Sequence, residues 1–264
     1  MAGAAPARAR RRFGQNFLVD EQIIAGVVDA LDPRAGQNLV EIGPGRAALT
    51  RPVLERAQSL TAIELDRDLV EFLRHDPFLK GLRLIAGDAL KLDFTALSGK
   101  GELRVFGSLP YNITSPLIFH LLSQPGISDM HFMLQKEVVE RLTASPGGRD
   151  YGRLTVMAGF YAETSSLMEV PPTAFRPVPK VTSALARLLP RRLSAEERAL
   201  APYLNTVTTA AFGARRKTLR NALSRLFSEP ELEAAGVDPR SRAEELPRAR
   251  YTALAALLRE RAAA

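Results

Sequence analysis

The chain of 264 residues contains no cysteine. That excludes disulfides, thiolate metal sites and cysteine nucleophiles together. Its three histidines, His75, His120 and His131, lie far apart without ligand spacing. Each is expected to be structural or on the surface, and no metal is expected. Tryptophan is absent as well, which excludes no function by itself. No run approaches the ~18 uncharged apolar residues of a membrane span, so no membrane partner is expected. The basic N-terminus is not followed by an apolar stretch, so no secretory leader is expected. A cytoplasmic monomer is the expectation. Acids are missing from the first 19 residues, which carry four arginines.

What is present is the balance of a globular protein, with 46% hydrophobic and 25% charged residues. The length suits one large domain, or one of ordinary size with an appendage. The net charge of +7 is unevenly placed. Residues 191–264 carry 14 basic and 9 acidic side chains, whereas 20–190 carry 18 basic and 20 acidic. Basic ends around a near-neutral middle suit a polyanionic partner held by the ends. An arginine-rich solvated surface is the plainer alternative.

Residues 1–12 are rich in Ala, Pro and Arg and read as a flexible basic arm. Asp20 then opens a helical pattern, with Ile23, Ile24, Val27, Val28 and Leu31 on one face. Short apolar runs at 38–42, 60–64, 82–86, 104–107 and 131–134 read as strands. They alternate with helical patterns at 47–57, 68–75, 116–122 and 136–144. Such alternation predicts right-handed crossovers and a parallel sheet covered on both faces, an α/β Rossmann-like fold. A helical pattern resumes at 153–160, the Pro-rich run 170–180 reads as extended or looped, and 183–189 reads as a last strand. After a linker at 190–194 the patterns are helical only, at 195–212, 216–226 and 251–261. The expected organisation is therefore an arm (1–12), an α/β domain (13–190) and a small all-helical domain (191–264).

The segment Leu39-Val40-Glu41-Ile42-Gly43-Pro44-Gly45-Arg46-Ala47-Ala48 is strand, tight turn and helix start. Glycines at 43 and 45 let the backbone turn and approach a ligand closely. Glu64 ends the second strand, where a carboxylate can accept both hydroxyls of a ribose. Asp88, after the third strand, can accept from an adenine amine. Three candidates at successive strand ends would line the crevice at the carboxyl edge of an open sheet. The loop alone leaves NAD and S-adenosylmethionine both open.

At the end of the fourth strand stands Ser108-Leu109-Pro110-Tyr111. Here the chain resembles the adenine-N6 methyltransferases, whose pattern is Asn, Asp or Ser, two residues ending in Pro, then an aromatic. The adenine N6 lone pair is delocalised into the ring, so this amine is a poor nucleophile. Acceptors that hold its hydrogens favour a more pyramidal nitrogen. The Ser108 side chain and the carbonyls of Leu109 and Pro110 are the candidates, with Pro110 holding the loop shape. Tyr111 would stack on an extruded base. An NAD-dependent oxidoreductase would leave this motif without a role.

The resemblance extends over roughly residues 13–260. Phe13-Gly14-Gln15-Asn16-Phe17-Leu18, Gln135-Lys136-Glu137-Val138 and Tyr151-Gly152-Arg153-Leu154 are similar to the ribosomal RNA adenine dimethyltransferase family. So is Phe175-Arg176-Pro177-Val178-Pro179-Lys180-Val181-Thr182-Ser183. The resemblance implies S-adenosylmethionine as cofactor, with S-adenosylhomocysteine as product. It implies that Asn16, Leu18, Gly43 and Gly45 contact the methionine portion and cofactor backbone. Glu64 would bind the ribose, and Asp88 with Ala89 the adenine. Ser108 would lie between cofactor and target amine, and Tyr111 and Phe175 would sandwich the target base. KsgA-like members usually have Asn where this chain has Ser108, and a hydroxyl is shorter with one donor rather than two. The segment 211–223 resembles the C-terminal domain of the KsgA-like branch rather than the Erm-type branch. Its cluster Arg215, Arg216, Lys217 and Arg220 is suited to RNA phosphates. The branch implies N6,N6-dimethylation of two adjacent adenosines near the 3′ end of small-subunit (16S) ribosomal RNA. The immature small subunit would be the substrate, and subunit biogenesis the setting. Alternatives are an Erm-type enzyme acting on large-subunit RNA and a non-catalytic assembly factor on the same fold.

Overall fold

A computed structural model describes residues 16–98, 101–110 and 113–263. By internal packing the chain forms two units. One holds the described residues up to Val139 together with Ser165–Pro190, and the other holds Glu140–Thr164 with the chain from Arg191 onward.

The first unit is built on strands β1 (Phe17–Leu18), β2 (Asn38–Ile42), β3 (Leu60–Glu64), β4 (Leu82–Ala86), β5 (Leu103–Ser108), β6 (Ile127–Gln135), β7 (Ala162–Val170, from Ser165 on in this unit), β8 (Phe175–Arg176) and β9 (Ser183–Pro190). Seven of them form one sheet in the order β4-β3-β2-β5-β6-β9-β7. Strands β4 to β6 pair in parallel, whereas β9 runs antiparallel to β6. The sheet is therefore mixed rather than wholly parallel. Strands β2, β5 and β6 are buried along almost their whole length. That is why they read as continuous apolar runs in the sequence. Strand β7 was not expected: its AETSSLMEV sequence is mostly exposed, at the sheet edge, and carries no apolar run to announce it.

Helices α1 (Glu21–Leu31), α2 (Thr50–Ala57), α3 (Arg67–Arg74), α4 (Thr95–Ser98), α5 (Thr114–Ser123) and α6 (Lys136–Thr143) follow the strands. Asp20 caps α1, accepting from the amides of Gln22 and Ile23 at 3.0 and 3.1 Å. Val27, Val28 and Leu31 turn inward and pack with Leu39, Phe106 and Met133 in one core cluster. Helix α2 begins three residues later than expected, because 45–49 form a turn. At the amino ends of the strands, Arg104 grips Asp129 with two bonds of 2.9 and 3.0 Å. It also donates to the carbonyls of Leu31 and Asp32, tying the end of α1 to the sheet. His131, beside Asp129, is buried, and desolvation holds its imidazole below the usual range, hence neutral. His120 lies 2.9 Å from the carbonyl of Leu92, and His75 is exposed.

The second unit is helical, with α7 (Arg153–Tyr161), α8 (Ala195–Arg198), α9 (Ala201–Gly213), α10 (Leu219–Ala222), α11 (Glu229–Ala234) and α12 (Arg248–Ala263). The sequence pattern placed 140–164 with the sheet, but α7 packs on α9 and α12. The Tyr151 hydroxyl donates to the Leu246 carbonyl at 2.9 Å, and the Tyr251 hydroxyl to the Ala243 carbonyl at 2.7 Å. The Phe212 and Tyr251 rings stack with centroids 5.5 Å apart. Two expected helices are shorter than their patterns. Residues 195–212 break into α8 and α9, with Pro202 in the first turn of α9. Only Leu219–Ala222 of the 216–226 pattern is helical.

Candidate active site

The parallel register brings the carboxyl ends of β2, β3, β4 and β5 to one edge. Ile42 is level with Ile63 and Gly107, and Glu64 is level with Ala86. The Gly43 amide donates to the Ile63 carbonyl, and the Gly87 amide to the Glu64 carbonyl, both at 2.9 Å. A pocket opens there.

The pocket gathers most of the residues singled out from the sequence. Gly43 and Gly45 supply one wall, both with left-handed φ of 70° and 57°. A β-carbon on Gly45 would sit 3.2 Å from the Phe17 ring, so the missing side chain admits the N-terminal strand. Glu64 lines the pocket from the end of β3, and Asp88 and Ala89 from beyond β4. Ser108, Leu109 and Pro110 close it at the end of β5. Asn16, Leu18 and Phe175 reach it by a two-stranded ribbon in which β1 pairs antiparallel with β8, Leu18 opposite Phe175. Tyr111 lies outside the described residues, as do 13–15 of the N-terminal motif. The basic residues Arg215, Arg216, Lys217 and Arg220 belong to the helical unit. The first three sit on the turn after α9 rather than on a continuous helix.

Electrostatically the pocket is acidic. Glu64 is 7% exposed, and its carboxylate accepts from the Asp66 amide at 2.9 Å and the Gly45 amide at 3.4 Å. Burial raises its pKa, opposed by those amides. Asp88 accepts from the Leu90 amide at 3.0 Å, which fixes its carboxylate at the start of a helical turn. Two further acids line the pocket that the sequence reading did not single out, Glu41 and Asp66. Burial pushes the Glu41 carboxyl up to about 8, opposed by the neighbouring Thr50 hydroxyl, and the Glu64 charge adds to the shift. Its Oε2 has no hydrogen-bond partner among the described residues. An acid inside the otherwise apolar run Leu39–Ile42 was the visible signal for it. Such a group is costly unless a ligand meets it.

This set of acceptors fits S-adenosylmethionine, which presents a ribose diol, an exocyclic amine, a sulfonium and an α-ammonium to them. Strand-end carboxylates match the first two, and the excess of negative charge matches the cations. Fold and site together define a Rossmann-like, S-adenosylmethionine-dependent methyltransferase. The model of the family described as ribosomal RNA adenine dimethylase matches residues 7–260, and the chain belongs to that family. It is an rRNA adenine methyltransferase. The chain is 54% identical over 255 residues to a protein of Actinobacillus pleuropneumoniae serotype 5b named ribosomal RNA small subunit methyltransferase A. That match covers 94% of this chain and 88% of the relative. A protein of the same name from Haemophilus influenzae strain PittEE is also 54% identical, with 94% and 89% covered. Among solved structures, a dimethyladenosine transferase from Plasmodium falciparum shares the fold with a TM-score of 0.77 at 24% identity, covering 93% of this chain and 98% of that one. The 23S rRNA methyltransferase ErmE matches with a TM-score of 0.68 at 27% identity, covering 92% of this chain and all of that one.

Proposed function

We propose that the chain converts two adjacent adenosines near the 3′ end of small-subunit (16S) ribosomal RNA to N6,N6-dimethyladenosine, acting on the immature small subunit. The observation that carries the choice of subunit is the 54% identity, over 94% of the chain, to proteins named small subunit methyltransferase A.

Within the pocket, Glu64 holds the ribose hydroxyls, and Asp88 with Ala89 holds the adenine. Asn16, Leu18, Gly43 and Gly45 surround the methionine portion. The cofactor supplies an activated methyl on a sulfonium that carries its own leaving group. What the chain must add is position and electrostatics rather than a general base. Ser108, at the tip of β5, stands between the cofactor and the target amine. The Pro110 carbonyl already accepts from the Ile113 amide and the Thr114 hydroxyl, both at 3.2 Å. That leaves the Ser108 side chain and the Leu109 carbonyl as the acceptors for the N6 hydrogens, with Pro110 fixing the turn. Tyr111 and Phe175 flank the base. The test is nucleoside analysis after reaction with undermodified small subunits. N6,N6-dimethyladenosine is expected, and a product that stops at monomethyladenosine contradicts the reading.

RNA is held in part by the basic turn of the helical unit. Arg215 donates to the Arg149 carbonyl, and Arg220 lies 3.5 Å from Glu229. Arg216 and Lys217 are exposed, and among the described residues neither has an acid within ion-pair distance. The double substitution Arg216→Ala/Lys217→Ala should therefore weaken RNA binding and lower the slope of log K against log salt by about one to two. Filter binding across a salt series reads this, and an unchanged slope moves the phosphate contact elsewhere.

A further inference from the structure

We infer that a second pocket, between α7 and the amino end of α12, holds one backbone phosphate of the RNA substrate between Arg191 and Arg248. This rests on the reading that the helical unit carries RNA.

The pocket lies wholly within the helical unit. Among the described residues its lining includes two arginines and no acid, and Ser145 adds a hydroxyl. Arg248 is seated by an absence. A β-carbon on Gly159, in the interior of α7, would lie 2.5 Å from Arg248 Nη1 and 3.5 Å from its Cζ. Glycine is unfavourable in a helix interior, and here the missing side chain makes the room the guanidinium occupies. Among the described residues that guanidinium has neither a hydrogen bond nor an ion pair. Burial, then the Arg191 charge, push its pKa below the usual arginine range, opposed by Tyr151 and Glu163.

Arg191 is held by its amide, which donates to the Tyr161 carbonyl at 2.7 Å. Its guanidinium lies 3.6 Å from the exposed Glu163, too far for a strong hydrogen bond. Two guanidinium groups brought to one pocket repel each other, and an anion between them converts that repulsion into charge-assisted bonds. Ala249 and Thr252 bring the first turns of α12 to the same pocket, so the positive end of a 16-residue helix adds to the field. The choice of RNA follows from what borders the pocket. The segment that walls it through Ala144, Ser145, Pro146 and Tyr151 also receives Arg215 of the basic turn on its Arg149 carbonyl. Pocket and basic turn are thus joined, as suits a ligand that carries one phosphate after another.

Filter binding of the full chain to small-subunit ribosomal RNA across a salt series tests this with one variant that removes charge and one that removes only space. Arg191→Gln/Arg248→Gln should weaken RNA about tenfold and lower the slope of log K against log salt by about one, the value for a single phosphate. Gly159→Ala keeps every charge, but its β-carbon displaces the far end of the Arg248 side chain. It should weaken RNA about threefold while melting no lower than the wild type, since alanine favours the helix. S-adenosylmethionine affinity should stay within about twofold in both variants. Wild-type RNA affinity in Gly159→Ala, with weakened RNA in the double variant, would reduce the pair to diffuse surface charge and overturn the proposal. A slope lowered by about two would assign the arginines to separate phosphates and overturn it as well. So would unchanged RNA affinity in the double variant. Failure of the wild type to bind the RNA is a different result: it removes the RNA reading and this site with it.

Discussion

Glu64→Ala is expected to raise the dissociation constant for S-adenosylmethionine about a hundredfold. On the proposed reading, the Glu64 carboxylate at the end of β3 accepts two hydrogen bonds from the ribose diol. Bonds to a charged acceptor are worth about 1.5 kcal/mol each at the low end, or about 3 kcal/mol together. The side chain also organises its surroundings, since it accepts the Gly45 and Asp66 amides. Alanine leaves two largely buried amides without partners, and the melting temperature should fall as well. Glu64→Gln separates the two effects. Its amide oxygen can keep one of the two backbone bonds, so it should lie between Glu64→Ala and wild type in stability while still binding the cofactor at least about tenfold more weakly. Titration calorimetry with thermal unfolding of both variants reads this. Wild-type affinity in a folded Glu64→Ala protein would remove Glu64 from the ribose site.

Gly107→Ala should have the largest effect on the fold. A β-carbon at this position would lie 2.2 Å from the Ile42 carbonyl oxygen and 3.1 Å from its carbon. Both are backbone atoms of the neighbouring strand β2, paired with β5 through Ile42 and Gly107. No rotamer change relieves that contact, so β2 and β5 must separate at the centre of the sheet. The cost should exceed the ~1–3 kcal/mol typical of core overpacking. The displaced atoms are also those that lead into Gly43 and Ser108, so a surviving folded fraction should bind cofactor poorly. Gly213→Ala is the control, because a β-carbon there meets nothing within 4 Å. It should change stability by less than about 0.5 kcal/mol. Thermal or urea unfolding distinguishes the two, and a Gly107→Ala protein melting with the wild type would show that the sheet can yield here.

The sheet's centre was legible because its strands are buried on both faces and therefore apolar throughout. The runs at 38–42 and 60–64 coincide with β2 and β3, whereas the run at 82–86 coincides with β4, the sheet's other edge, which is partly exposed but keeps the apolar residues Leu82, Leu84 and Ile85. The glycine loop and the strand-end acids Glu64 and Asp88 were legible for a related reason: parallel strands deliver their carboxyl ends to one crevice whatever the loops do. Strand β7 was not, since an exposed edge strand of polar residues has no periodic signature. Nor was the ribbon joining Phe17–Leu18 to Phe175–Arg176, which pairs residues from opposite ends of the α/β unit. Local patterns carry no information about such a partner, so Asn16, Leu18 and Phe175 were reachable only through the family's motifs. The basic turn after α9 read as helix because Arg, Lys and Leu are good helix formers. In the folded unit the Leu219 amide instead donates to the Ser241 carbonyl, and the chain turns to make that bond.

The most direct measurement is transfer of labelled methyl groups from S-adenosylmethionine to undermodified small and large ribosomal subunits in parallel, with nucleosides separated afterwards. Label in N6,N6-dimethyladenosine from small subunits alone is the predicted result. Label confined to large subunits, or no transfer to either particle by a protein that binds the cofactor, would contradict it.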